Sequence, residues 1–89
     1  MKAVITVTGK DAMGIIAKVA NCCADHGANI VDISQSVLSD YFAMIMLVDI
    51  DKLNIPFANF VDVLADIGNK SGLVIHTMHE DIFNSMHTI

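Results

Sequence analysis

The stretch Tyr41 to Ile50, YFAMIMLVDI, is apolar at nearly every position. A strand that is apolar on both faces is buried on both faces, so this segment belongs at the centre of a sheet rather than at its edge. Strand-length apolar runs bounded by turn signals flank it. Lys2 to Thr8 (KAVITVT) is rich in β-branched residues and reads as a strand, broken by Gly9-Lys10-Asp11. Asn29 to Leu38 (NIVDISQSVL) alternates: Val31, Ile33 and Val37 point one way, Asp32, Ser34 and Ser36 the other. Ser39-Asp40 then provides a hairpin turn into the central segment. Leu73 to Met78 (LVIHTM) is a last strand.

Two helices separate these strands. From Gly14 to His26 the apolar positions Ile15, Val19 and Cys22 fall on one stripe, with Ile16, Ala20 and Cys23 beside it. Gly27 supplies a C-terminal stop. Asn54-Ile55-Pro56 opens a second helix, whose stripe is Phe57, Phe60, Val61, Leu64 and Ile67. Gly68, Asn69, Ser71 and Gly72 are expected to end it. The order strand, helix, strand, strand, helix, strand predicts an α+β fold: a ferredoxin-like βαββαβ sandwich with a four-stranded antiparallel sheet, order 4-1-3-2, and two helices on one face. Residues 1–89 form one domain, of which 80–89 are a short tail that either makes a helical turn or frays. The uncovered face is expected to carry Val4, Thr6, Asp32, Ser34, His76 and half of the third strand, so that a second subunit covers this face or its edge.

Composition narrows the function. Hydrophobic residues make up 54% of the chain, above the roughly 45–50% of soluble domains. No apolar run reaches the roughly 18 residues of a membrane span, so an interface between copies is the expected destination of the excess. The net charge is −5, with five Lys and no Arg. That balance argues against nucleic acid, which needs a basic face, and against an anionic membrane. The start MKAVITVTGKD reaches Thr6, Thr8 and Lys10 too soon for a signal peptide. The expectation is a cytoplasmic protein with reduced cysteines. Cys22 and Cys23 are adjacent on a helix and diverge by about 100°, which makes them buried thiols rather than a chelate. His76 and His79 point to opposite faces of a strand, and no zinc-type spacing is present, so neither a metal nor a cofactor is expected.

The first loop, Thr8 to Ile16, joins a strand to a helix whose first amides lack internal partners and can hold an anionic group. Asp11 can cap that helix, and Gly14 permits close approach to the backbone. The stretch T-x-x-G-K-D-x-x-G-I-I, from Thr6 to Ile16, followed by a helix and H-G-A-N-I-V-D-I-S-Q, resembles the ACT domain family over almost the whole chain. It is most similar to the small stand-alone ACT proteins of prokaryotes. Where the family commonly has D-R-P-G, this chain has Asp11-Ala12-Met13-Gly14.

The resemblance implies a regulatory domain, not an enzyme, that binds an amino acid or similar metabolite at a homodimer interface and acts on a regulated enzyme. Carried over by matching position, Asp11, Gly14 and Ile15 of one subunit and Asn29 and Ile30 of the other would hold the ligand. Free helix amides would take its carboxylate, and Asp11 would accept from its ammonium group. The Asn29 amide both donates and accepts. Some ACT domains bind nothing and serve as dimerisation or interaction modules, which is the alternative reading. Acylphosphatase and copper chaperones share the topology, but the first needs a loop Arg and the second spaced loop cysteines. Neither feature is present here.

Overall fold

The computed structural model describes residues 1–10 and 13–86. The elements are β1 (Lys2–Gly9), α1 (Ile15–Asp25), β2 (Asn29–Leu38), β3 (Tyr41–Asp49), α2 (Phe57–Ser71), β4 (Val74–His79) and α3 (Glu80–Met86). The four strands form one antiparallel sheet in the order β2-β3-β1-β4, which is the expected 4-1-3-2 order read from the other edge.

The register sorts side chains into two faces. Ala3, Ile5 and Val7 pair with Val48, Met46 and Met44 on one side, and Ile5 and Val7 with Thr77 and Ile75 on the other. These residues are buried, and they join Ile15, Val19, Cys22 and Cys23 of α1 and Phe60 and Leu64 of α2 in a single core. Burying one such aliphatic or aromatic side chain contributes about 1.5–3 kcal/mol, so the two amphipathic helices are held mainly by this layer.

Glycines set how closely the layers approach. The sequence expects Gly68, Asn69, Ser71 and Gly72 to end α2; the helix runs through Gly68 to Ser71 and stops at Gly72, which takes the left-handed conformation at φ 72°. Gly68 lies inside the helix and is buried, because a Cβ there would meet Ile75 Cγ1 at 2.8 Å and the Leu73 carbonyl at 2.9 Å. α1 ends with His26 N–H and Ala28 N–H donating to the carbonyls of Cys22 and Cys23, at 3.1 and 2.8 Å, around Gly27 at φ 80°.

Three expectations need revision. Val4 lies on the face away from α1 and α2, but it is only 3% exposed. The segment after β4 forms α3, which touches β1 and β4. A β-bulge between Ile30 and Asp32 takes Val31 out of the alternation, so only Ile33 and Val37 share a face as expected. Finally, β3 is buried on one face only: Met44, Met46 and Val48 are enclosed, while Ile45 on the opposite face is 44% exposed.

Candidate functional site

The loop between β1 and α1 reaches the helix through Gly14, its N-cap, at φ 75° and ψ −4°. Lys18 N–H donates to the Gly14 carbonyl at 3.2 Å, which starts the helical ladder. No side chain caps this end, and the first turn carries no acidic residue. The leading amides and the positive end of the helix dipole are therefore unoccupied by the chain's own carboxylates among the described residues, an arrangement suited to an anionic group. Asp11, expected to cap or to bind here, lies outside the described residues.

Gly14 is exposed, and a Cβ built on it meets nothing within 4 Å. Its glycine requirement comes from the positive φ rather than from crowding within one subunit. Ile15 is 1% exposed and belongs to the core, so only its backbone can face a ligand. Lys10, just before the loop, stands 5.4 Å over the Tyr41 ring, a cation–π contact that ties the loop to the start of β3.

Asn29 and Ile30 open β2 at the other end of the domain. Asn29 pairs with Asp49, which in turn pairs with Lys2, whereas the Gly9 end of β1 pairs with Phe42. Ile30 is half-buried and packs against the core. Asn29 is exposed and lines a cleft of about 400 Å³ with Gly27, Asp49, Asp51 and Lys52. Local hydrogen bonds shape that cleft. Asp51 N–H donates to the Asp49 carboxylate at 2.9 Å, and Asp51 forms an ion pair with the terminal ammonium of Met1. That contact raises the ammonium pKa above its ordinary value.

Asn54 braces the same end. Its amide donates to the Asp25 carbonyl at 2.9 Å, its oxygen lies 3.3 Å from His26 Nδ1, and its backbone N–H donates to the His26 carbonyl at 2.9 Å. The neighbouring Asp49 and Asp51 were not singled out in the sequence, because their proximity to Asn29 depends on strand register.

One subunit therefore does not bring the two halves of the expected site together. α1 runs from Gly14 at one end of the sheet to Asp25 near Asn29 at the other, and its eleven residues put about 16 Å between them. Two further clefts exist. One of about 600 Å³ is lined by Met1, Lys2, His79, Glu80, Asp81 and Ile82. Another of about 370 Å³ lies between α1 and α2 and includes Lys18, Cys22 and Val63.

Cys22 and Cys23 are buried and unbridged. Burial raises the Cys22 thiol pKa, with Asp25 adding to the effect, and burial pushes Cys23 up to about 11, with Cys22 adding to it. His79 stacks on Phe57 at 4.2 Å, while His76 sits on the opposite face, as the strand alternation predicts. Among the described residues no group of three or more His, Cys, Asp or Glu side chains could hold a metal ion, and no helix is long and apolar enough to cross a membrane.

Comparison with known proteins identifies the fold's relatives. The profile of the ACT domain matches residues 2–71. A UPF0237 protein of Methanococcus maripaludis is 46% identical over 86 residues, covering 97% of this chain and 96% of that one. An ACT domain protein from Streptococcus pneumoniae superimposes with a TM-score of 0.81 at 39% identity, covering 98% of both chains. A candidate glycine cleavage system transcriptional repressor superimposes with a TM-score of 0.70 at 26% identity, with 85% of this chain and 43% of that one covered. With the profile spanning most of the chain and the sheet order and helix placement in agreement, the protein belongs to the ACT domain family and is a small stand-alone member of it.

Proposed function

We propose that this chain is a regulatory, non-enzymatic cytoplasmic homodimer that binds an amino acid or a closely related metabolite between its subunits. The observation that carries the proposal is the separation of Gly14 and Asn29 at opposite ends of α1, beside the edge strand β2. β2 is ten residues long and contains no Lys or Pro, the residues that commonly protect an edge. Every side chain from Val31 to Val37 is exposed. Antiparallel pairing of β2 with its symmetry mate reverses the strand ends, so Asn29 of one subunit approaches the Gly14 end of the other.

In that arrangement the ligand carboxylate meets the uncapped amides of α1. The Asn29 side chain, which both donates and accepts, meets the ligand's polar groups, and Asp11 receives its ammonium. Family membership supports a ligand-binding regulatory role, and the likeness to a candidate repressor of a glycine cleavage system favours an amino acid. A regulated enzyme or regulator is then the protein through which binding is read out.

A thermal-shift screen of the twenty amino acids and common metabolites tests the reading. Ligand that binds only the native state raises the melting temperature, by about 2.7 kcal/mol of added stability at a hundredfold excess over Kd. A concentration-dependent rise with one compound class, lost in Asn29→Ala, is the expected result. A flat screen with an intact dimer would replace the sensor with a ligand-independent interaction subunit.

A further inference from the structure

We infer that the sheet face away from α1 and α2 is a second interface between copies of this chain, and that it joins two β2-paired dimers into a tetramer. The width of this surface rests on the edge pairing proposed above. Its chemistry does not.

Register defines the face. Ser34, Ile45, Thr6 and His76 form one row across the four strands, and Ser36, Ala43, Thr8 and Val74 form the next. Neither row contains Asp, Glu, Lys or Arg, although 17% of the chain is charged. Asp32, Asp49 and Lys2 gather at one end of the sheet, beyond the two rows. Ile45 and Val74 are 44% and 52% exposed in the single chain. β3 is thus apolar on a face that water reaches, although a central strand of this composition is normally covered on both sides.

A second copy is the occupant that fits. A two-fold contact places like residues against like near its axis, which would oppose equal charges on most of a molecule of net charge −5. Apart from His76, these two rows present only small neutral and aliphatic side chains, so the same patch can meet itself with no carboxylate set against a carboxylate. Val4, in the next row, is 3% exposed, whereas Ile45 and Val74 in these rows remain open to water.

Size agrees. Eight paired strands at about 4.8 Å spacing, with the two rows taking four residues of each at about 3.4 Å, present roughly 520 Å² per dimer. Two such faces would bury about 1,000 Å², about the least that a specific interface needs. The single subunit exposes 5540 Å², above the roughly 5,100 Å² expected for a monomer of this mass.

Sedimentation at micromolar concentration, with and without face and edge substitutions, tests the inference. The full-length chain is expected to run as four copies. Ile45→Asp and Val74→Asp, both on the face, are each expected to halve the mass and to keep any thermal-shift response to ligand. Val31→Lys with Val37→Lys, on the edge, is expected to halve the mass and abolish that response. A mass unchanged by both face variants, or a wild-type single copy, overturns the second interface. A two-copy wild type that Ile45→Asp splits supports the face contact and removes the edge pairing instead. A flat ligand screen on a four-copy protein removes the sensor reading and leaves the face interface standing.

Discussion

A Cβ placed on Gly68 would stand 2.8 Å from Cγ1 of Ile75, so the buried turn of α2 rests almost directly on β4. Real Cβ contacts are not that short, and the facing Leu73 carbonyl at 2.9 Å is backbone. Gly68→Ala gains helix propensity of up to about 1 kcal/mol but must push the helix off the sheet, an overpacking cost of about 1–3 kcal/mol. The expected balance is a net loss of about 1–2 kcal/mol, read as a melting temperature lower by roughly 5–15 °C. A variant as stable as the parent would show that α2 shifts freely.

Gly27 and Gly72 form a matched pair with φ values of 80° and 72°. Alanine at either pays the left-handed backbone penalty of roughly 1–2 kcal/mol. At Gly72 the new methyl meets open space, whereas at Gly27 it would lie 2.3 Å from the Lys52 carbonyl. Urea denaturation should therefore rank Gly27→Ala well below Gly72→Ala, by at least about 1 kcal/mol. Equal losses would mean that the Lys52 loop moves aside. Since Gly27 and Lys52 both line the Asn29 cleft, such movement would also remodel the candidate ligand site.

Thr77 faces the core opposite Ile5, and its buried hydroxyl has no hydrogen-bond partner among the described residues. A buried hydroxyl without a partner costs about 1–3 kcal/mol. Thr77→Val keeps the shape and removes that cost, so stability is expected to rise by about 1 kcal/mol. A fall in the urea midpoint would reveal a partner for the hydroxyl.

These energetic details mark the boundary of what a one-dimensional reading reaches. The strand order follows from elements whose periodicity is plain, such as Lys2 to Thr8 and the Phe57-Phe60-Leu64 stripe. Gly68 misleads because a glycine that thins a helix against a sheet looks the same as one that ends it. The bulge at Val31 and the pairing of Asn29 with Asp49 depend on the register at the far end of the β2–β3 hairpin, some twenty residues of chain away from each other. Residues 80–86 carry too few apolar positions to show which surface they cover, and the burial of Val4 emerges only in three dimensions. The candidate site is legible as two motifs, Gly14 and Asn29, but their separation along α1 is a property of the fold.

The thiols give a pH-dependent prediction. Cys23 is enclosed in the core, and burial pushes its pKa to about 11 from an ordinary value near 9. Because the folded state favours the protonated thiol, the unfolded chain binds fewer protons between these two values, and stability falls as pH rises through that window. Below the ordinary thiol pKa this contribution is fully present. Wild-type protein is therefore expected to lose urea resistance between about pH 9 and 11 more steeply than Cys23→Ala, after each is normalised to its own stability at pH 7. At pH 7.5 both thiols should react slowly with a water-soluble alkylating reagent, at a rate that follows denaturant-induced opening, because the thiolate is the nucleophile. Rapid labelling of Cys23 in the native state, or identical pH slopes for the two proteins, would show that the thiol is reached by water and that α1 is not sealed against the sheet at that point.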